Sequence, residues 1–334
     1  MMREVLRKLF AEGFLTRDEA ANAMNILMEG KAPPEQVGAF LGFLKGKGES
    51  VEEIAGCAKT MRDHALALNI NRTDLIDTCG TGGDGASTFN ISTVNAFVMA
   101  GAGLGVVKHG NRSISSKCGS ADVLETLGVK IDLPPDRVAH CVEETGFGFL
   151  FARLFHPSVK NVAGIRTSLG VRTVFNLLGP LTNPARATRQ VIGVFDHTLL
   201  EKLAWVMKDL GSEEVMMVTG YDGLDEITIT GKTHVSHLKD GKVRNYDISP
   251  EDAGLPIHSV EAIKGGDADC NSKIALSVLG GDKGAPRDIV VLNGAAGLLV
   301  AGKVQNLREG REMAEHIIDS GKAMAVLDKV REVQ

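Results

Sequence analysis

The run Asp77-Thr78-Cys79-Gly80-Thr81-Gly82-Gly83-Asp84 follows the short apolar stretch Leu75-Ile76. It precedes Asn90-Ile91-Ser92-Thr93-Val94, which opens a helical pattern. Glycines at Gly80, Gly82, Gly83 and Gly85 let a backbone take positive φ and approach a ligand closely. A glycine loop feeding a helix start aims free N–H groups and the positive end of the helix dipole at an anion. Asp84 does not suit bare phosphate, because a carboxylate repels it. It suits a metal-bound diphosphate, or a ribose whose hydroxyls need an acceptor. The loop reads as a phosphosugar cradle, although a lone glycine motif also serves as a plain strand-to-helix turn.

A second constellation is Lys108-His109-Gly110-Asn111-Arg112-Ser113-Ile114-Ser115-Ser116, directly after the apolar Gly105-Val106-Val107. In open α/β sheets ligands bind at the carboxyl ends of strands, where this loop and the glycine loop would both emerge. Its cations, amide and hydroxyls can wrap a polyanion, with Lys108 a point charge for diphosphate. The plainer reading is a polar surface loop. Asp225-Glu226 are adjacent carboxylates of the kind that suits Mg²⁺, which shares its coordination with substrate phosphates and water. Neighbouring side chains diverge along a strand, so the pair works only if the backbone bends there; otherwise it is a solvated acidic turn. Ser92 could add a hydroxyl ligand or simply cap its helix. Arg166, among Val162, Ile165 and Leu169, either snorkels from a packed helix or offers a fork to a carboxylate. His109 could stack on a substrate ring or pack, and it is not assigned as a base. His234 and His237 show no metal-ligand spacing and read as structural.

These groups need a scaffold, and the chain has material for one. Its 334 residues are 43% hydrophobic and 24% charged, an ordinary globular composition. A net charge of −5 argues against reliance on non-specific nucleic-acid binding. The five cysteines show no C-x-x-C spacing, which argues against a metal cluster and fits a reducing cytoplasm. No signal peptide and no membrane-spanning run is visible.

The first 72 residues read as helices. Leu6, Leu9 and Phe10 form one stripe, Thr16 caps a second helix, Pro33-Pro34 starts a third, and Ser50 with Glu53 makes a capping box for a fourth. From Asp74 strands and helices alternate. Leu75-Ile76, Ile91–Met99 and Gly105–Val107 form a βαβ unit, and Ser120 caps the helix Ala121–Leu127. Later strands are expected at Val191–Phe195, Val215–Thr219 and Ile289–Leu292, with antiparallel additions at Ile227–Thr230 and Val243–Tyr246. Thr173 should cap a short helix that stops at Gly179-Pro180. The fold class is α/β: a mixed, mostly parallel sheet flanked by helices, with a smaller all-helical domain. The domains are expected at 1–72, completed by part of 159–184, and at 73–334.

Together these residues resemble the anthranilate phosphoribosyltransferases. The matching runs are Asp77–Asp84, Lys108–Ser113, Gly119-Ser120-Ala121-Asp122-Val123-Leu124-Glu125, Arg172–Pro184 and Gly223-Leu224-Asp225-Glu226, in order along nearly the whole chain. The resemblance implies the fold shared with nucleoside phosphorylases and a homodimer formed through the helical domain. It also implies transfer of a phosphoribosyl group from phosphoribosyl diphosphate (PRPP) to anthranilate, the second step of tryptophan biosynthesis from chorismate. PRPP would lie on Gly80, Gly83, Asp84, Thr88, Asn90, Ile91, Ser92, Thr93, Lys108, His109, Gly110, Asn111, Arg112, Ser113, Ile114, Ser115, Ser116 and Ser120. Anthranilate would lie on Gly80, Asn111 and Arg166, and Mg²⁺ on Ser92, Asp225 and Glu226. Lys108, Asn111 and Arg166 would carry the catalytic roles. The chain departs from the usual pattern at Lys45-Gly46-Lys47, at Gly164 where proline is common, at Cys118 where serine is common, and at Gly294 and Gly297, where alanine is usual. Two rivals fit less well. A pyrimidine nucleoside phosphorylase would carry Lys-His-Ser where this chain has Asp77-Thr78-Cys79. A nucleic-acid-binding relative would be basic and would lack Asp225-Glu226 or the Lys108–Arg112 loop.

Overall fold

In the computed structural model, which describes residues 1–113 and 117–334, four helices come first: α1 (Met2–Glu12), α2 (Arg17–Met28), α3 (Pro34–Lys47) and α4 (Val51–Asp63). Their starts follow from the sequence. Thr16 with Glu19 and Ser50 with Glu53 make reciprocal capping boxes, and Pro34 opens α3. Leu9, Met24, Phe40, Leu41 and Leu44 are fully buried, but Phe10 is 59% exposed and leaves the expected stripe.

The chain then runs β1 (Leu75–Gly80), α5 (Ile91–Gly101), β2 (Gly105–Gly110), α6 (Ser120–Thr126), α7 (Pro135–Thr145) and β3 (Phe147–Phe151). Next come α8 (Ala152–Phe155), α9 (Lys160–Leu169), α10 (Phe175–Leu181), β4 (Arg189–Gly193), α11 (Leu200–Asp209) and β5 (Glu214–Gly220). A hairpin, β6 (Thr233–Lys239) and β7 (Lys242–Ile248), precedes α12 (Ala268–Leu279), α13 (Ala285–Val300), α14 (Leu307–Asp319) and α15 (Lys322–Val333). The seven strands form one sheet in the order β3-β2-β1-β4-β5-β6-β7. β1 to β5 are parallel, and β6 and β7 are antiparallel additions. The order reverses between β1 and β4, and a crevice outside their carboxyl ends is where an open α/β sheet binds its ligand.

Several expectations need correction. Ile289–Leu292 is not a strand but the buried middle of α13, because a continuous apolar run fits a buried helix equally well. Ile227–Thr230 is not a strand; the antiparallel partner of β5 is β6, and β3 was not foreseen. Ser120 is the first residue of α6 rather than its cap. Gly119 takes that place, donating its N–H to the Asp122 carboxylate at 2.8 Å. At α10 the polarity is reversed: Thr173 donates its N–H to Asn176 Oδ1, and the helix runs through Pro180 to Leu181.

Gly297 has a packing reason, since a Cβ there would lie 2.8 Å from Met99 Sδ. Glycine at that point lets α13 lie close on α5. The segment carrying α9 and α10 returns to the first helices: Asn161 Nδ2 donates to the Met28 carbonyl at 2.7 Å. Val162, Val174 and Phe175 share one apolar cluster with α1–α4. The other large cluster lies between the sheet and α5, α12, α13, α14 and α15.

Candidate active site

β1 ends at Gly80, paired with Gly193 at the end of β4. Both must be glycine for a reason outside their own strands. A Cβ on Gly193 would lie 1.5 Å from the Asp225 carbonyl oxygen, and one on Gly80 would lie 2.7 Å from Asp225 Oδ2. The loop after β5 therefore lies directly across two strand ends. Beyond Gly80, positive φ at Gly82 (67°), Gly83 (82°) and Gly85 (73°) curls the backbone, and Ser87 follows at 55°. Thr81 anchors the curl by donating its N–H to the Gly193 carbonyl at 2.9 Å, while its hydroxyl accepts from the Phe195 N–H at 3.0 Å.

The backbone bend that Asp225-Glu226 needed is present. The turn Gly220–Leu224 closes on itself, and Asp222 accepts from the hydroxyls of Thr228 and Thr230, each at 2.6 Å. Buried Asn293 then fixes the next residue, accepting from the Ile227 N–H at 3.0 Å and donating to its carbonyl at 2.9 Å. Both carboxylates consequently face the cradle. Asp225 Oδ2 accepts from the Gly82 N–H at 2.7 Å, and Glu226 Oε1 accepts from the Ser92 N–H at 3.1 Å at the start of α5. Asp84 completes an acidic group: one oxygen accepts from the Ala86 N–H at 3.1 Å and the other from the Asp225 N–H at 3.3 Å. The donors expected to greet an anion are thus partly covered by carboxylates.

This crowding has an electrostatic cost. Burial, then the charges of Asp84 and Glu226, hold the Asp225 carboxyl well above the ordinary carboxylate range. Burial pushes Glu226 up to about 7, opposed by Lys108 and the Ser92 hydrogen bonds. Among the described residues no three His, Cys, Asp or Glu side chains already converge to hold a metal unaided. The donors are oxygens with excess negative charge, which suits a hard divalent cation that brings part of its coordination from a substrate phosphate.

The Lys108 side of the site differs from its sequence reading. Lys108 lies within β2, 1% exposed, and its ammonium donates to the Thr78 carbonyl at 2.6 Å and to Ser92 Oγ at 3.3 Å. Burial lowers its pKa, opposed chiefly by Asp77. It acts from beneath the cradle rather than from a loop above it. His109 is a packing histidine: Nδ1 meets the Gly179 carbonyl at 3.1 Å, its ring lies 5.1 Å from that of His156, and burial pushes it down to about 3. Asn111 and Ser120 are joined through the Asn111 N–H and Ser120 Oγ at 3.2 Å. Arg112 is ion-paired with Asp122 and Glu125, each at 2.9 Å. The Ser113 N–H donates to Asp122 Oδ2 at 3.1 Å, so one carboxylate staples the base of this loop. Ile114, Ser115 and Ser116 lie outside the described residues. Asn90 is held by Cys118 and Asn271, and Thr88 bridges to Lys264.

Arg166 stands apart from that network. It is half-buried on α9 with its guanidinium 4.9 Å from the Phe175 ring centroid, and among the described residues its side chain has no hydrogen-bond or ion-pair partner. A fork held by an aromatic face and left without an anion is available to a carboxylate.

Some residues that shape the site were not singled out. Gly193 and Asn293 carry no local signal, since their partner lies on another strand's loop. Asn183, which donates to Asp77 Oδ2 at 2.8 Å and to the Val107 carbonyl at 2.7 Å, and Arg172, which reaches Gly83, both sit in a motif that had been marked.

The chain is similar to known proteins over nearly its whole length. The glycosyl transferase family a/b domain matches residues 72–324, and the glycosyl transferase family helical bundle domain matches residues 3–65. The anthranilate phosphoribosyltransferase of Moorella thermoacetica is 51% identical over 327 residues, covering 98% of this chain and 96% of that protein. The enzyme of that name from Thermoanaerobacter is 51% identical over 334 residues, covering 100% and 99%. The crystal structure of anthranilate phosphoribosyltransferase from Thermus thermophilus superposes with a TM-score of 0.93 at 42% identity over 98% of both chains. That from Saccharomyces cerevisiae, in complex with PRPP and Mg, gives 0.92 at 29% identity over 99% and 97%.

Proposed function

The chain belongs to the anthranilate phosphoribosyltransferases, and we propose that its site performs their reaction with the division of labour set out below. The enzyme transfers the 5-phosphoribosyl group of PRPP to the amino nitrogen of anthranilate and releases pyrophosphate, a step of tryptophan biosynthesis. Two observations together carry the assignment of residues. A glycine cradle is rimmed by Asp84, Asp225 and Glu226, and the Arg166 guanidinium has no anionic partner among the described residues.

The cradle takes PRPP, with Gly80, Gly83, Asp84, Thr88, Asn90–Thr93, Lys108–Ser116 and Ser120 contributing. Bound magnesium supplies positive charge against the leaving diphosphate, and Ser92, Asp225 and Glu226 are the residues assigned to hold it. The excess of buried negative charge supports that assignment. As the bond from C1 to the diphosphate oxygen breaks, negative charge develops on the leaving group. Lys108, fixed beneath the loop, offsets part of it without reorganisation. Arg166 holds the anthranilate carboxylate and, with Asn111 and the Gly80 backbone, aligns the amine on C1. An arylamine is neutral near pH 7, so its lone pair attacks directly and its proton leaves after the new C–N bond forms; no side chain is needed as a base.

Closure of the helical layer, 1–72 with part of 159–184, over 73–334 would exclude water from the activated sugar. Pairing with a second copy is assigned to the helical layer, where Phe10 and Phe14 stand exposed. Among the described residues no helix is long and apolar enough to cross a membrane, and the five free cysteines fit a reducing cytoplasm.

The test is pyrophosphate release from PRPP with and without anthranilate and Mg²⁺. Release that requires all three, with a phosphoribosylated arylamine as product, supports the assignment. Release that is independent of anthranilate overturns the acceptor half.

A further inference from the structure

We propose that Arg172 is a positioning residue that latches the glycine cradle to the segment bearing Arg166, so that each substrate's binding is felt at the other's subsite. The inference rests on the two-substrate reading above. Arg172 lies in the link between α9 and α10, six residues beyond Arg166. Its Nη2 donates to the Gly83 carbonyl at 2.5 Å, and its guanidinium lies 4.0 Å from the Phe195 ring centroid. Phe195 in turn donates its N–H to Thr81 Oγ1 at 3.0 Å. One side chain therefore grips the cradle at two points, Gly83 directly and Thr81 through Phe195. A Cβ on Gly83 would lie 3.0 Å from Arg172 Nη2, so the glycine leaves room for the contact as well as supplying positive φ.

The latch is not a prop for the core. Arg172 is exposed, and among the described residues its guanidinium meets the Gly83 carbonyl and the Phe195 ring rather than a carboxylate. An exposed contact adds little to global stability, yet fixing a loop with three positive-φ glycines removes freedom that a ligand would otherwise have to remove. A diphosphate that sets the position of Gly83 sets Arg172, and through the short link it sets the end of α9. Anthranilate on Arg166 acts along the same link in the opposite direction, and the two effects must be equal in free energy.

The experiment measures anthranilate affinity by calorimetry on the full chain, with and without Mg-pyrophosphate, which fills the diphosphate subsite and cannot react. The native protein should bind anthranilate about tenfold more tightly with Mg-pyrophosphate present. In Arg172→Ala, and in Phe195→Leu, that factor should fall to about one while the thermal midpoint holds. Coupling that survives in Arg172→Ala overturns the latch. So does a variant that loses both separate affinities and its thermal midpoint together, which would mark a structural role. A native protein that binds both ligands without mutual tightening sinks the latch alone, whereas one that binds neither sinks the functional reading beneath it.

Discussion

The two halves of the site are built on opposite plans. The acidic half is crowded and satisfied: Gly80 and Gly193 give way to Asp225, Asn293 pins Ile227, and each carboxylate already has a backbone donor. The arginine half is sparse: the Arg166 guanidinium rests on Phe175 with no polar partner among the described residues, on a helix where a Cβ added at Gly164 would meet nothing within 4 Å. The first plan suits a subsite that must place charge accurately before substrate arrives. The second suits one whose geometry the ligand completes. Under the proposed assignment, preorganisation and adaptability are divided between the two substrates.

The sharpest way to break the contrast is Gly193→Ala. With 1.5 Å available, the Asp225 loop must leave the strand ends, at a cost of about 3 kcal/mol or more and with loss of turnover. Urea unfolding and pyrophosphate release check it together, and wild-type stability would contradict the loop's placement. Arg166→Ala comes next. Losing a charge-assisted pair worth roughly 1.5–3 kcal/mol should raise the anthranilate KM about 10- to 150-fold and leave PRPP binding, measured without anthranilate, unaffected. Equal losses for both substrates would erase the division.

A smaller effect separates the halves by pH. Glu226 is raised in the folded state, from 4.5 to about 7, so over that window the native protein binds more protons than the unfolded chain. Its contribution is therefore fully present at low pH and is lost as pH rises through the folded value, which lowers the stability of the unliganded protein. Glu226→Gln should flatten that decline, as read from urea midpoints at roughly pH 5 and pH 8; an unchanged slope would assign it to other groups. The smallest effect is Gly164→Ala, where a Cβ meets open space. It should stabilise α9 by about 1 kcal/mol with the site intact, a gain of the opposite sign to Gly193→Ala. A loss of stability there would mean that α9 is packed more tightly than its open side suggests.

Local chemistry made much of this legible. The capping residues Thr16 and Ser50, the positive-φ glycines and the acidic pair after β5 each declare themselves within a few residues. What failed depended on distant partners. Ile289–Leu292 is apolar in every direction, so only its surroundings distinguish a buried helix from a buried strand. Lys108 reads as a loop cation until the sheet register places it inside β2, against Thr78. The ion pairs of Arg112 with Asp122 and Glu125 were likewise not legible, because both partners lie on the helix after the loop. Gly193 is an unremarkable glycine until another strand's loop crosses it.

The β6–β7 hairpin leaves β7 at the sheet's margin, with one row of backbone donors and acceptors unclaimed by any strand of its own sheet. Such a row is a template on which a stray strand from another molecule could grow. Lys242, Arg244 and Asp247 stand exposed along it, so an incoming strand would have to strip water from charges of both signs. The margin thus discourages unwanted self-association.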